Sequence, residues 1–140
     1  MLVQPTHILT LWQPYATLIA RGYKTAEYRT WKPSDDLLPL TCAIHAAKRP
    51  MDVAPVFDVG SVLMSFGFVK ESDDYGLVKQ IADEAEATRG KIVAVVEFHA
   101  FRSYLGDYAW DVRDVRRLAA PVEWRGAQGL CKFDSQLEVE

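Results

Sequence analysis

The sequence predicts an α+β fold, a small mixed β-barrel of five to six short strands with two to three flanking helices. Strand-like runs recur over residues 6–12, 24–31, 40–47, 91–101, 108–118 and 129–133,. Helical spacing is clear only over 14–21 and 75–89,. The two kinds of element do not alternate in the regular rhythm of a doubly wound parallel sheet.

Each element has a local reason. In 6–12 (Thr-His-Ile-Leu-Thr-Leu-Trp), Ile8, Leu9 and Leu11 are strand formers and Trp12 ends the run,. Pro14 fits a first helical position, where its missing N–H costs nothing,. Tyr15, Leu18 and Ile19 fall at i, i+3 and i+4, a core-facing stripe, and Gly22 suits the position after the helix,. Alternation over 24–31 places Thr25, Glu27, Arg29 and Trp31 on one face and Lys24, Ala26, Tyr28 and Thr30 on the other,. Pro33, Ser34, Asp35, Asp36 and Pro39 mark a loop,. The strand 40–47 ends near His45, Lys48 and Arg49. Residues 50–72 mix apolar and turn residues without a clear period. Leu77, Val78, Ile81, Ala82 and Ala85 form the stripe of an acidic surface helix, with Gly90 just past its end,. The run 91–101 is apolar on both faces except at Glu97 and His99, as expected of a central strand,. Pro121 and Gly126 are turn residues between the last two strands.

A chain of 140 residues fits one domain, 1–140, with a core of about 7–133 and an acidic tail at 134–140,. Cys42 and Cys131 sit in apolar runs and are expected as buried, reduced thiols,. Neither a signal peptide nor a membrane-length apolar run is present, so a cytoplasmic location without a membrane partner is expected,. The net charge of −3 argues against strong, non-specific nucleic-acid binding,. Its distribution is uneven: residues 1–50 carry six Lys/Arg against three Asp/Glu, and residues 51–90 carry three against eight. A second basic cluster comprises Arg113, Arg116, Arg117 and Arg125. Zinc spacing, a phosphate-cradling glycine loop and a nucleophile elbow are missing, so no metal or cofactor is expected,.

Five pieces together resemble the ASCH domain family. They are Leu9 to Ala16 (Leu-Thr-Leu-Trp-Gln-Pro-Tyr-Ala), Gly22-x-Lys24-x-x-Glu27-x-Arg29, Ile44 to Lys48 (Ile-His-Ala-Ala-Lys), Gly90 to Glu97, and Gly129 to Phe133. The resemblance covers most of residues 7–133. It implies a barrel related to the RNA-binding PUA domains, with a polar cleft between barrel and first helix around the Lys24/Glu27/Arg29 strand. It implies an RNA, nucleoside or nucleotide ligand. Some members of the family are enzymes. One branch hydrolyses acetylcytidine with a Lys, a Thr and a Glu, and others are linked to RNA cleavage. The branch's lysine matches Lys24, but its threonine falls three residues later, where this chain has Glu27.

Lys24, Glu27 and Arg29 read either as a charged trio lining a pocket or as a structural pair on an exposed strand. Lys24 and Glu27 are the catalytic candidates if the chain is an enzyme, although no residue stands out as a nucleophile,. Trp12 is a candidate cleft wall, Gln13 either a reader of a base edge or a helix cap, and Lys48 a cation at the strand's mouth. His45 reads as a rim or core histidine as readily as a ligand-binding one. Glu97 interrupts an apolar strand and should have a partner, with Lys24 and Arg29 the candidates; it reads either as a cleft residue acting as a general base or as a structural counter-charge,. Tyr104, Asp107 and Tyr108 are placed at the pocket border, and the arginine cluster either extends a phosphate track or solvates a strand edge,. Three functions follow: binding RNA or a modified nucleotide, hydrolysis in the same cleft, and protein interaction through a Trp-rich surface.

Overall fold

A computed structural model describes residues 1–51, 55–65, 67–68 and 75–140. Along the chain lie β1 (Leu2–Val3), β2 (His7–Leu11), α1 (Tyr15–Ala20), β3 (Ala26–Arg29), β4 (Leu40–Ala46), α2 (Pro55–Ser65), α3 (Tyr75–Ala87), β5 (Lys91–Tyr104), β6 (Asp107–Glu123), β7 (Leu130–Lys132) and β8 (Leu137–Glu138). Six strands form one sheet in the order β3-β6-β5-β4-β2-β7, curled into a half-barrel, and β1 pairs with β8 separately. The fold is therefore α+β as expected, with three α-helices among the described residues. The sheet is mixed, because β2 and β4 run parallel while its other pairs are antiparallel.

The curl has a visible cause. The β5–β6 ladder shifts register at Ile92/Ala94, Val95/Glu97 and Phe98/Ala100, and such bulges bend and twist a strand pair,. Those two strands are also longer than the sequence predicts. They continue past 101 and 118 and meet at a two-residue turn, Leu105 (φ 48°) and Gly106 (φ 85°), whose handedness matches the strand twist,.

One face of the sheet buries Leu9, Leu11, Ile44, Phe98 and Trp110 together with Ala16, Ile19 and Ala20 of α1. The other buries Ile8, Ala43, Ile92, Val95, Leu118 and Phe133, joined by Leu137 and Val139. Part of the segment expected as an acidic tail thus packs against the sheet. Within the unassigned segment 50–72, residues 55–65 form α2, which with α3 packs on Leu18 through Val59, Leu63, Val78, Ile81 and Ala82.

Helix α1 ends as its glycine predicts. Gly22 adopts φ 81°, its N–H reaches the Ile19 carbonyl at 3.0 Å, and the Tyr23 N–H reaches the Leu18 carbonyl at 2.9 Å. These two bonds are the Schellman pair that closes a helix and reverses the chain. The Lys24 N–H also bonds the Leu18 carbonyl, at 3.1 Å, so the turn delivers Lys24 to one position. Strand β3 is shorter than the expected 24–31 run, and Lys24 precedes it.

Candidate functional site

A cleft of about 1190 Å³ opens where the C-terminal ends of β2 and β4 meet β3 and the segment 124–129. Its floor is charged. Lys24 is buried at 8% exposure, and its Nζ donates to Glu27 Oε1 at 3.1 Å and to the Ala26 carbonyl. Arg29 Nε donates to the other carboxylate oxygen, Oε2, at 3.2 Å, and its Nη2 donates to the Thr10 carbonyl at 3.1 Å. Glu27 is therefore held by a cation on each oxygen. Burial lowers the pKa of Lys24, while the charge and hydrogen bond of Glu27 act to raise it,. The alternation placed Lys24 and Glu27 on opposite faces; because Lys24 lies in the turn before the strand, its ammonium folds back to the carboxylate three residues on.

His45 stands at the back of the cleft, 1% exposed. It pairs in register with Thr10 on the parallel neighbour. Its Nε2 lies 2.8 Å from the Trp124 carbonyl, which can only accept, so that nitrogen carries the proton,. Nδ1 then accepts from the Thr10 hydroxyl at 3.1 Å. The ring is thereby a strut holding the wall 124–129. Gly126 lies so close that a Cβ there would stand 2.9 Å from His45 Cε1 and 3.0 Å from Thr10 Oγ1, a contact that leaves room only for hydrogen,.

Aromatic side chains form the sides. Trp12, Tyr15, Tyr28, Trp31 and Trp124 all line the cleft, and each is exposed. Lys48 and Arg125 add cations at its rim.

The structure brings Trp12, Lys24, Glu27, Arg29, His45 and Lys48 together, but not Gln13 or Glu97. Gln13 is buried beside α1. Its Nε2 lies 2.9 Å from the hydroxyls of Thr17 and Thr88 and 3.1 Å from the Ala85 carbonyl, and its Oε1 accepts from the Thr17 N–H at 3.0 Å. It joins α1 to α3 rather than reading a ligand. Glu97 is paired across β5 and β6 with Arg113, not with Lys24 or Arg29. Direct strand pairing supplies that cation without reference to the cleft. Arg117 is likewise paired with Glu84, at 2.9 Å; of the expected basic group, Arg125 alone lines the cleft. Tyr104 packs at 5.1 Å on Tyr28, which lines the cleft, while Tyr104, Asp107 and Tyr108 are not themselves lining residues. Tyr15, expected in the core, is on the cleft wall. Cys42 is fully buried, which pushes its thiol pKa up, but Cys131 is only partly covered,.

Thr10 and, apart from Arg125, the run from Trp124 to Gly129 were not legible as site residues. No periodicity marks them, and the Trp-Arg-Gly turn before β7 is the sole local hint.

The ASCH domain family model matches residues 9–130. The chain belongs to the ASCH domain family. That family is generally RNA-binding and PUA-like. No curated protein matches the chain. All six ASCH residues that meet in the cleft fall inside the matched region.

Among the described residues, no helix is long and apolar enough to cross a membrane, and no group of three or more His, Cys, Asp or Glu is placed to hold a metal.

Proposed function

We propose that this ASCH domain binds single-stranded RNA, holding one nucleotide over the Lys24–Glu27–Arg29 floor. The observation that carries this reading is charge. Four cations (Lys24, Arg29, Lys48 and Arg125) line the cleft against one carboxylate, Glu27, in a protein whose net charge is −3. Such a local excess of cations attracts an anion. The five aromatic walls add flat surfaces on which bases stack,. Lys24 and Arg29 keep N–H groups beyond those spent on Glu27 and the backbone, and these suit phosphate or carbonyl oxygens,. Two unpaired cysteines accord with the reducing cytoplasm as the setting,.

The test is titration of a labelled oligoribonucleotide by anisotropy. Lys24→Ala removes a charged donor and should weaken binding roughly tenfold or more. Unchanged affinity in a variant that still folds, judged by its melting curve, defeats the reading.

Hydrolysis in the same cleft is a second reading with one observation behind it. Lys24 has a lowered pKa and touches Glu27, so the pair is suited to moving a proton,. Incubation of the purified protein with acetylcytidine checks it, since release of cytidine that stops in Lys24→Ala would support it and no turnover would end it.

A further inference from the structure

We infer that the cleft holds two consecutive nucleotides, with Trp12, Arg49 and Lys48 forming a second subsite that stacks a base and meets a phosphate beside the Lys24–Arg29 floor. The ligand is then a single strand rather than a free nucleoside. This inference rests on the reading of the cleft as an RNA site.

Trp12 leaves the end of β2 with 57% of its surface exposed, so packing does not explain its placement. The guanidinium of Arg49 lies 3.8 Å from the centre of its ring. Topology brings the two together. β2 and β4 run parallel, Leu11 pairs with Ala46, and the Ala47 N–H bonds the Leu11 carbonyl at 2.8 Å. The two strand ends therefore release Trp12 and Arg49 side by side.

The platform is also held. Arg89 donates to the Lys48 carbonyl at 2.7 Å, and the Gly90 N–H bonds the Ala46 carbonyl at 2.8 Å. The Lys48 stem runs over Gly90, where an added Cβ would stand 3.5 Å from its Cγ. An exposed indole with a cation over its ring, in a cleft that Lys48 also lines, offers a base a flat surface and a phosphate a charge,.

Spacing supports two sites over one. Arg29 anchors to the Thr10 carbonyl, and Trp12 lies two residues further along, roughly 7 Å at strand rise,. That is of the order of one step along an extended single strand. The cleft, at about 1190 Å³, also exceeds the roughly 300–1000 Å³ of pockets that enclose one small ligand,.

Calorimetric titration of the full chain with the four ribonucleoside 5′-monophosphates, and with a mixed-sequence octaribonucleotide, tests the inference. The octamer should bind more tightly than any mononucleotide. Trp12→Ala should lower octamer affinity roughly tenfold to a hundredfold and mononucleotide affinity by a much smaller factor, and Trp12→Phe should restore most of the loss. Lys24→Ala should lower both. Because Trp12 is exposed, its variants should melt as the parent does. The inference is overturned if Trp12→Ala affects neither ligand or both equally, or if the parent binds the octamer no better than a mononucleotide. Failure of the parent to bind either ligand removes the RNA reading itself, and this inference with it.

Discussion

At the scale of single residues, Lys24 decides how the cleft responds to pH. Its ammonium is buried, and burial disfavours the charged form, so its pKa lies below the ordinary 10.5 despite Glu27,. Two consequences have opposite signs. The folded chain releases this proton before the unfolded chain does, so between the folded pKa and 10.5 the lysine's contribution to stability rises with pH,. Anion binding needs the charged form, so affinity falls over the same window. RNA affinity should therefore fall as pH rises, starting at a pH below 10.5, and Lys24→Arg, which stays charged, should remove that alkaline limb,. An unaltered profile in the arginine variant would show that some other group titrates. The trio was readable in the sequence because its members lie within six residues of one another. The fold-back of Lys24 was not, since it depends on where the Schellman turn hands over to β3.

At the scale of elements, Gln13 ties α1 to α3. This amide spans the start of α1 and the end of α3 through Thr17, Ala85 and Thr88. Glu84 reinforces the join by accepting from Arg21 after α1 at 3.1 Å and from Arg117 in β6 at 2.9 Å. Gln13→Ala would leave buried polar groups without partners, at a cost of about 1–3 kcal/mol. Urea denaturation should show that loss, while RNA affinity in the folded protein stays close to the parent value because Gln13 does not line the cleft. A large drop in affinity at unchanged stability would instead return Gln13 to the ligand. The two helices adjoining this join were predictable from a 3.6-residue period,. Helix α2 was not, because its core-facing Val59 and Leu63 stand among turn residues such as Pro55, Asp58 and Gly60.

At the scale of the whole molecule, the separation of charge matters more than its sum. Acidic residues are concentrated in 51–90, whereas the cleft carries four cations and one carboxylate. The positive field is thus local, and binding should follow contacts with a few phosphates. With two or three neutralised, log affinity against log salt should fall with a slope of about −1.4 to −2. A flat response would exclude phosphate contact as the source of affinity. A much steeper one would mean that RNA reaches well beyond the cleft. Arginines 113 and 117 lie outside the cleft and are paired with Glu97 and Glu84.

The sequence by itself determined the local choices: the strand and helix periods, the glycine that closes α1, and the Lys24–Glu27–Arg29 row. These depend on neighbours within a turn or a strand, and residue type and spacing are enough to read them. The tertiary structure alone decided which strand ends meet. Parallel pairing of β2 with β4 set Thr10 beside His45 and Trp12 near Arg49, and the return of the chain before β7 placed Trp124 to Gly129 as the opposite wall. Periodicity tells which face a residue shares but carries no record of its partner, and the partner is chosen by packing across the whole sheet.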